Sequence, residues 1–189
     1  MLARRTIVLR SNYLLYIIDY ENKNVQKFAN DGIFLNSFKL PFAPQAISLD
    51  SEGSFYISYS TFFGVGKHLI YKYNHKGNLT KSFVRSIKHR DRIIQSALNN
   101  VSFCIDKQDN FYICYSFDKY RIQKYNKDGE LILEFSRDLP YPTFYPEATR
   151  KKNPDGTMSS GVYTPQTTLS MTCDDSSYIL SLIHISEPT

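Results

Sequence analysis

Hydrophobic and polar positions alternate along short segments of this chain, and a period of two is typical of β-strands that bury one face. One such segment recurs as an apolar residue followed by Tyr-Ile, at residues 15–17, 55–57 and 111–113. Each copy leads into a basic amphipathic segment and then a tight turn that ends at Gly32, Gly77 or Gly129. A fourth copy, Ser-Tyr-Ile, begins at residue 177. The pattern predicts a repeat protein built from short strands.

Each repeat divides into four predicted strands. The first alternates and ends in an acid at 47–50, 103–106 and 171–174, whereas the copy at 7–10 ends in Arg10. The second strand is the Tyr-Ile phrase, the third lies at 25–28, 69–73 and 121–125, and the fourth at 34–38, 79–83 and 131–135. Repeats of roughly 40 to 50 residues with four short strands are typical of β-propellers.

The predicted fold is therefore all-β, a partial β-propeller of about three and a half four-stranded blades. The blades are expected at about 6–40, 45–84 and 100–136, with the start of a fourth at 166–179. The last ten residues, 180–189, resemble the in-frame translation of a sequencing adapter. We expect a non-native tail there and a native chain that continues past Ile179, so that the propeller occupies residues 1–179. The alternative is an apolar strand of the fourth repeat.

Composition adds few constraints. The 189 residues contain no apolar run of about 18, so no membrane-spanning helix is expected. The formal charge of +5 permits an anionic partner without requiring one. Three cysteines show no metal-binding spacing. Cys104 and Cys114 either form a disulfide across one hairpin or remain two buried thiols, and we favour the thiols.

Residues 111–129 carry a family resemblance. Their sequence, Phe-Tyr-Ile-Cys-Tyr followed by Arg-Ile-Gln-Lys-Tyr and Asn-Lys-Asp-Gly, resembles an NHL-type repeat, and residues 17–28 are similar to it. The resemblance covers about residues 6–179. It implies a six-bladed parent and an extracytoplasmic bacterial protein, periplasmic or on the cell surface. It implies no single function, because the family includes scaffolds, ligand binders and enzymes.

Loop lengths indicate where function lies. In a four-stranded meander, the connections between the second and third strands and between blades lie at one end of each sheet. The long connections at 60–68, 84–100 and 136–168 all belong to this group. Long loops on a rigid scaffold are where binding usually occurs. We predict that this loop-rich face is the functional one.

Three sets of candidate binding residues lie near this face. Tyrosines at the ends of the second strands, Tyr20, Tyr59 and Tyr115, either line a pocket or pack against neighbouring blades. The basic loop at 84–100 offers His89, Arg90 and Arg92 as an anion site, or forms a solvated loop or helix held down by isoleucines. The longest loop offers Tyr141, Phe144 and Tyr145 as a stacking platform for a sugar or peptide, or braces itself with them. Residues 153–161 are expected to be a flexible tip.

The first functional hypothesis is a non-catalytic propeller that binds a protein, peptide or glycan on the loop-rich face, without a cofactor. The alternative is a hydrolase or lyase with a metal in the central channel, held partly by blades outside this sequence. The third is an RNA-binding NHL propeller. It ranks last because Asp91, Asp138 and Glu147 interrupt the basic residues. No catalytic residue or metal ligand is assigned, because the four histidines lack metal spacing and no nucleophile elbow or Walker loop appears.

Overall fold

The computed structural model describes residues 5–10, 14–61, 64–117, 120–138, 145–163, 170–173 and 179–182. Three antiparallel sheets of four strands each follow one another along the chain, and each is a meander in chain order. The strands are β1 Arg5–Arg10, β2 Leu14–Asp19, β3 Asn24–Ala29, β4 Phe34–Lys39, β5 Pro44–Leu49, β6 Phe55–Tyr59, β7 His68–Tyr73, β8 Leu79–Arg85, β9 Val101–Ile105, β10 Phe111–Tyr115, β11 Arg121–Tyr125, β12 Leu131–Ser136, β13 Glu147–Lys152, β14 Met158–Tyr163, β15 Ser170–Cys173 and β16 Ile179–Leu182. The helix α1 spans Arg92–Leu98.

Blade 1 consists of β1–β4, blade 2 of β5–β8 and blade 3 of β9–β12. These confirm the predicted all-β fold of four-stranded meanders. The strands β15 and β16 pair with each other, and β15 lies beside β9 of blade 3. Residues 180–182, at the start of the predicted tail, belong to β16. Strand pairing does not address the origin of these residues, so the tail stays a prediction.

The turns between the third and fourth strands are built alike in blades 2 and 3. In blade 2, the side-chain oxygen of Asn74 accepts hydrogen bonds from the backbone N–H of Lys76 and of Asn78, each at 3.0 Å. Asn126 makes the same two bonds at 3.0 Å in blade 3. Gly77 closes the first turn with a φ of 83°, a left-handed conformation that glycine adopts without strain. The Asn-x-x-Gly sequence thus specifies the hairpin.

A buried aspartate closes the turn between the first and second strands. Asp106 is 4% exposed, and its Oδ1 accepts hydrogen bonds from the backbone N–H of Gln108 and of Asn110, each at 2.9 Å. Its Oδ2 accepts one from the Tyr112 hydroxyl at 3.0 Å and lies 3.7 Å from Lys124 Nζ. The recurring acid and the recurring lysine of the repeat are therefore partners.

Blade 2 repeats this arrangement. Asp50 accepts backbone hydrogen bonds from Glu52 and Ser54, and Lys72 Nζ lies 2.9 Å from its Oδ2. The same lysine lies over the Tyr56 ring, 5.2 Å from its centroid. In blade 1 the acid position holds Arg10, so that blade lacks the carboxylate that the other two blades share.

Aromatic side chains fill the seams between neighbouring blades. Phe38 of blade 1 lies 5.5 Å from Phe55 of blade 2, whose ring stacks on Tyr73 at 5.3 Å. Phe83 of blade 2 lies 5.2 Å from Phe111 of blade 3, whose ring stacks on Tyr125 at 5.0 Å. In the part of the chain that the structure describes, two equivalent clusters lie between neighbouring blades, and a third joins blade 3 to β15 and β16.

Each seam also brings a phenylalanine ring onto a glycine of the next blade. A Cβ on Gly77 would lie 2.2 Å from Phe38 Cδ1, and one on Gly129 would lie 2.1 Å from Phe83 Cδ1. Real Cβ atoms essentially never approach a neighbour so closely. The two glycines are thus required by packing as well as by turn conformation.

Two further elements lie in the connections. Helix α1 begins after Asp91, whose Oδ1 accepts a hydrogen bond from the Ile93 backbone N–H at 2.9 Å. Its C-terminal neighbour Asn99 is buried, and its side-chain amide bonds to the backbone N–H and C=O of Ile87 and to Gln95 O. The hairpin β13–β14 packs on this helix. In the segment 153–161, which was expected to be a flexible tip, Asn153-Pro-Asp-Gly156 forms a turn and residues 158–161 lie in β14.

The cysteines pair differently from either expectation. Cys104 in β9 forms a disulfide with Cys173 in β15, with a Cα–Cα distance of 5.7 Å. Cys114 is buried in β10, opposite Ser102. The hairpin disulfide between Cys104 and Cys114 is therefore wrong, and Cys104 is not the unpaired thiol that we favoured. The disulfide instead joins β9 of blade 3 to β15, the strand that lies beside it.

We expect Gly77→Ala to lower the free energy of unfolding, measured with urea, by about 2–5 kcal/mol. The cost combines strain at positive φ with the clash against Phe38. The matched control is Gly156→Ala, because Gly156 has a φ of 83° in the same type of turn but no atom lies within 4 Å of the point that a Cβ would occupy. The control should lose only the strain, about 1–2 kcal/mol. Equal losses in the two variants would contradict the seam contact.

Asp106 should make stability depend on acid. Burial opposes its ionisation, but hydrogen bonds from Asn110, Tyr112 and Gln108 outweigh burial, so the pKa of Asp106 lies below its ordinary value. A lowered pKa in the folded state stabilises the protein above the unfolded-state pKa of about 3.9, and this contribution is lost as the pH falls through the folded-state pKa.

Asp106→Asn should therefore unfold more easily than the unaltered protein at pH 6, and the difference should shrink as the pH approaches 2. Urea unfolding at a series of pH values measures this. If the difference in unfolding free energy between the two proteins stays constant from pH 6 to pH 2, the hydrogen bonds of Asp106 do not stabilise its ionised form.

Peptide mapping without reductant should recover Cys104 linked to Cys173. The bridge closes a loop of 69 residues, so reduction or Cys173→Ser should cost about 4 kcal/mol of unfolding free energy. Reductant should not destabilise the Cys173→Ser variant further, which makes that variant its own control. Recovery of a Cys104–Cys114 peptide would overturn the assignment.

Candidate functional site

A pocket of about 290 Å³ lies between blades 1 and 2, on the loop-rich face. It is built from the connections that this face collects and from the ends of β6 and β7. The lining residues described by the structure are Lys23, Phe42, Ala43, Tyr59, Ser60, Thr61, Gly64, Val65, Gly66, His68, Leu69 and Tyr71. We call this site the Tyr59 pocket.

Two tyrosines form its aromatic wall. The rings of Tyr59 and Tyr71 are tilted by 55°, with centroids 4.9 Å apart. The Tyr59 hydroxyl makes a short hydrogen bond with the hydroxyl of Tyr73, which belongs to the seam between the blades. Burial, followed by the bond to Tyr73, raises the pKa of Tyr59 well above its ordinary value. The Tyr59 phenol is therefore neutral at physiological pH.

Phe42 marks the mouth of the pocket. It lies in the connection between β4 and β5, and its ring meets the Tyr59 ring edge to face at a centroid distance of 5.4 Å. The side chain is nevertheless 53% exposed. Ala43 and Leu69 are buried beneath this region. The pocket thus has an apolar floor and an aromatic rim that water reaches.

Lys23 is held at the pocket by its turn. Asp19 Oδ1 accepts a hydrogen bond from the Asn22 backbone N–H at 3.0 Å, and its Oδ2 accepts one from Asn22 Nδ2 at 2.8 Å. Lys23 itself has a φ of 51°, and its carbonyl accepts a hydrogen bond from the Leu40 N–H at 2.8 Å. The turn therefore fixes the backbone of Lys23, whereas its long side chain with the ammonium group stays flexible.

His68 supplies the second basic group. Its Nδ1 lies 2.9 Å from Ser82 Oγ, which holds the ring at the pocket. Burial, assisted by the positive charges of Lys67 and Arg85, lowers the pKa of His68 below its ordinary value of 6.5. The imidazole is therefore neutral at pH 7 and acts as a hydrogen-bonding group rather than a charge.

Hydrogen bonds between elements fix the remaining wall. The Tyr20 hydroxyl lies 3.2 Å from Ser60 Oγ, which ties blade 1 to the connection that follows β6. Ser96 of α1 donates to the carbonyl and hydroxyl oxygens of Thr61, both at 3.0 Å. Helix α1 thereby supports the pocket from the blade 3 side.

The three predicted tyrosines, Tyr20, Tyr59 and Tyr115, have different roles in the structure. Tyr59 lines the pocket, and Tyr20 supports it through Ser60. Tyr115 is 4% exposed, and its hydroxyl bonds to Gln123 Oε1 at 3.2 Å. Tyr115 is instead buried in the apolar cluster between blades 2 and 3, where the other members include Leu69 and Phe83 of blade 2.

The three predicted residues of the basic loop, His89, Arg90 and Arg92, do not line the Tyr59 pocket. His89 Nδ1 accepts a hydrogen bond from the Asp91 N–H at 3.0 Å, and its ring lies 6.4 Å from that of Tyr145. Arg90 and Arg92 are exposed on either side of Asp91, which is ion-paired with Arg150 of β13. The hydrogen bond from Arg150 is the main cause that lowers the pKa of Asp91. This patch therefore contains its own counter-charge.

The aromatic platform is described in part. Tyr145 is 60% exposed beside His89, whereas Tyr141 and Phe144 lie outside the described residues. Tyr145, His89 and α1 form a second exposed area on the loop-rich face. It includes charges of both signs.

Of the lining residues, Tyr59 was the only predicted site residue, and those not predicted include Lys23, Phe42, His68 and Tyr71. A signal for Tyr71 was present. It occupies the repeat position that holds Gln26 in blade 1 and Gln123 in blade 3. In blade 3, Gln123 accepts hydrogen bonds from both Tyr115 and Tyr125. With tyrosine at that position, Tyr59 and Tyr73 bond directly to each other, and an aromatic wall replaces a buried amide.

The opposite end of the sheets contains a more open and polar cavity of about 420 Å³ between blades 2 and 3. Two of its lysines are ion-paired, Lys72 with Asp50 and Lys81 with Asp128. Among the described residues, no group of three or more His, Cys, Asp or Glu side chains is arranged to hold a metal ion. No helix in the described part of the chain is long and apolar enough to cross a membrane.

No protein-family model matches the sequence, and no curated protein matches it. Solved structures do resemble it. A catalytically inactive virginiamycin B lyase from Staphylococcus aureus, crystallised with quinupristin, is 13% identical with a TM-score of 0.55 over 98% of this chain and 57% of the lyase chain. The WD40 domain of Pan2 from Neurospora crassa is 10% identical, with a TM-score of 0.53 over 96% of this chain and 44% of that one. A Bacteroides thetaiotaomicron protein of unknown function is 15% identical, with a TM-score of 0.50 over 89% of this chain and 41% of that one.

These neighbours are β-propellers, so the predicted partial β-propeller is confirmed. The fold also agrees with the one expected from the NHL-type resemblance. At such low identities the likeness extends to the fold alone. The chain spans between 41% and 57% of the length of these three neighbours.

Proposed function

We propose that this protein is a non-catalytic binding propeller, which holds a protein, a peptide or a glycan on its loop-rich face. The observation that carries the proposal is the aromatic Tyr59 pocket of about 290 Å³ between blades 1 and 2. Its mouth residue Phe42 keeps half of its side chain exposed although it packs on Tyr59. An apolar pocket with a few convergent polar groups is the usual form of a ligand site.

The rigidity of the pocket supports this function. Its walls are tied to blade 1 through Tyr20, to the blade seam through Tyr73 and to helix α1 through Ser96. A site held in place before the ligand arrives loses little conformational entropy on binding. The loops of this face therefore form a preorganised surface.

The charge distribution favours a protein, peptide or glycan over a nucleic acid. Arg150 is ion-paired with Asp91, in the middle of the basic loop, so Arg90 and Arg92 flank a neutralised centre. Nucleic-acid binding depends on a continuous basic surface that contacts several phosphates. The exposed Tyr145 beside this loop instead suits stacking or packing against a partner.

We further propose that the protein is exported and that it is part of a six-bladed NHL-like propeller. The Cys104–Cys173 disulfide supports export, because disulfides persist in the periplasm and outside the cell and are rare in the cytosol. The number six comes from the NHL-type resemblance. Three complete blades lie within the described residues, which is consistent with a chain that spans part of a longer propeller.

The function is tested by probing the full chain, fluorescently labelled, against printed arrays of glycans and synthetic peptides. We expect a subset of probes to bind. Phe42→Ala, Tyr145→Ala and Arg90→Ala should each be compared with the unaltered chain, and at least one should reduce the signal of the bound probes about fivefold or more. All three side chains are on the surface, so the melting temperature should change by about 2 °C or less.

The matched control is His75→Ala, an exposed residue in the β7–β8 turn at the opposite end of blade 2. Its array signal should equal that of the unaltered chain. A chain that binds no probe, or a signal lost in His75→Ala and retained in all three loop-face variants, would overturn the proposal.

A further inference from the structure

We propose that the Tyr59 pocket binds a sugar ring that bears a carboxylate, a hexuronic acid unit of an acidic glycan. This inference rests on the proposed function and names the ligand class for one site of the loop-rich face. It follows from three properties of the pocket: an aromatic corner, a net positive rim and several hydroxyl or backbone groups close to both.

The aromatic corner suits the face of a sugar ring. Tyr59 and Tyr71 meet at 55° with centroids 4.9 Å apart, and Phe42 stands edge-on to Tyr59 at the mouth. Three rings at different angles surround a small volume instead of forming one flat platform. A pyranose ring has apolar C–H patches on its faces that pack on such rings, while its hydroxyls point outward from the ring edge.

The charge of the rim favours an anion. Among the lining residues that the structure describes, Lys23 carries a positive charge, the His68 imidazole is neutral at pH 7, and none is acidic. Lys67 and Arg85 are close enough to His68 to act on it electrostatically, and they increase the local positive potential. A carboxylate entering this pocket would gain a charge-assisted hydrogen bond from Lys23 without meeting a like charge among those residues.

The polar groups of the wall favour a hydroxyl-rich ligand over a purely aromatic acid. Ser60 and Thr61 line the pocket next to the backbone of the glycine-containing segment 64–66. At Gly66 a Cβ would lie 2.6 Å from Tyr71 Oη, so glycine is what allows the phenol to lie against the backbone there. Thr61 Oγ1 accepts a hydrogen bond from Ser96, and a hydroxyl group can make further hydrogen bonds through its proton and its second lone pair. A ligand hydroxyl at this wall therefore has a polar partner that benzoate would not use.

The size of the pocket agrees with a small ring. A volume of about 290 Å³ lies at the lower end of typical small-molecule sites. It accommodates one or two sugar rings and excludes a folded partner, which would contact only Phe42 at the mouth. A terminal or protruding uronic acid of a glycan chain fits this shape.

The test is a set of calorimetric titrations of the full chain with four probes: glucuronic acid, galacturonic acid, glucose and benzoate. We expect at least one of the two uronic acids to bind with a dissociation constant on the order of 1 mM, as is usual for so small a ligand. Glucose, which replaces the carboxylate by a neutral group, should bind at least about tenfold more weakly. Benzoate retains the carboxylate and a flat ring but lacks the hydroxyls, and it should bind more weakly than the uronic acid.

Lys23→Met removes the charge and keeps the length of an exposed side chain, so it should lower uronic acid affinity about tenfold without affecting folding. Phe42→Ala should lower the affinity for all the sugars. Lys76→Met, an exposed lysine in the β7–β8 turn at the opposite end of the sheet, is the matched control and should bind as the unaltered chain does.

Equal affinity for glucose and the uronic acids, preference for benzoate, or unchanged binding in Lys23→Met would each overturn the inference. So would a lack of binding to all four probes. If the array signals that depend on Phe42, Tyr145 or Arg90 persist in that case, the loop-rich face is a binding surface for another ligand and the proposed function stands. If the array is also empty, both the inference and the proposed function fail.

Discussion

Neighbouring blades are held at a fixed spacing by a phenylalanine ring that lies directly on a glycine of the next blade. Phe38 covers Gly77, and Phe83 covers Gly129, at distances that leave no room for a Cβ. The same glycines have φ values of 83° and 84°, which the turn needs for its own hydrogen bonds. Glycine therefore meets two requirements at once: the positive φ of its own turn and the close packing of a ring from the neighbouring blade. The turn thus determines how closely the two blades approach each other.

The seam in turn positions the pocket. Tyr73 stacks on Phe55 at 5.3 Å inside the seam, and its hydroxyl is bonded to that of Tyr59 in the pocket wall. These three residues belong to blade 2, so a shift of blade 2 relative to blade 1 would move them together away from Lys23 of blade 1 and would change the contact between Tyr20 and Ser60. The pocket is thus a product of the spacing between blades, although every residue at its mouth belongs to a connecting loop.

The strands and the loop-rich face were predictable because their signals are local and repeated. Alternation, Asp-initiated turns and Asn-x-x-Gly hairpins each act within about ten residues, and blades 2 and 3 confirm them. The disulfide was not predictable, because Cys104 and Cys173 belong to different blades and are 69 residues apart. The pocket was predictable only in part. Tyr59 and Tyr115 occupy equivalent positions, and only the cross-strand partner, Tyr71 in one blade and Gln123 in the other, separates a pocket residue from a buried one.

The two ends of the sheets differ in the role of their side chains. At the short-turn end, Asp50 and Asp106 hold their own turns and a lysine each, and Ser51 of blade 2 donates two hydrogen bonds to Asp109 of blade 3. The carboxylates there stabilise the framework. At the loop-rich end, Tyr71 replaces the amide that blade 3 uses to satisfy its tyrosines, and Phe42 remains half exposed. Neither of these residues is required by the repeat. Tyr71 and Phe42 are thus aromatic side chains that the framework does not need at the loop-rich end, and this difference between the ends is the physical argument behind the proposal that the loop-rich face binds a ligand.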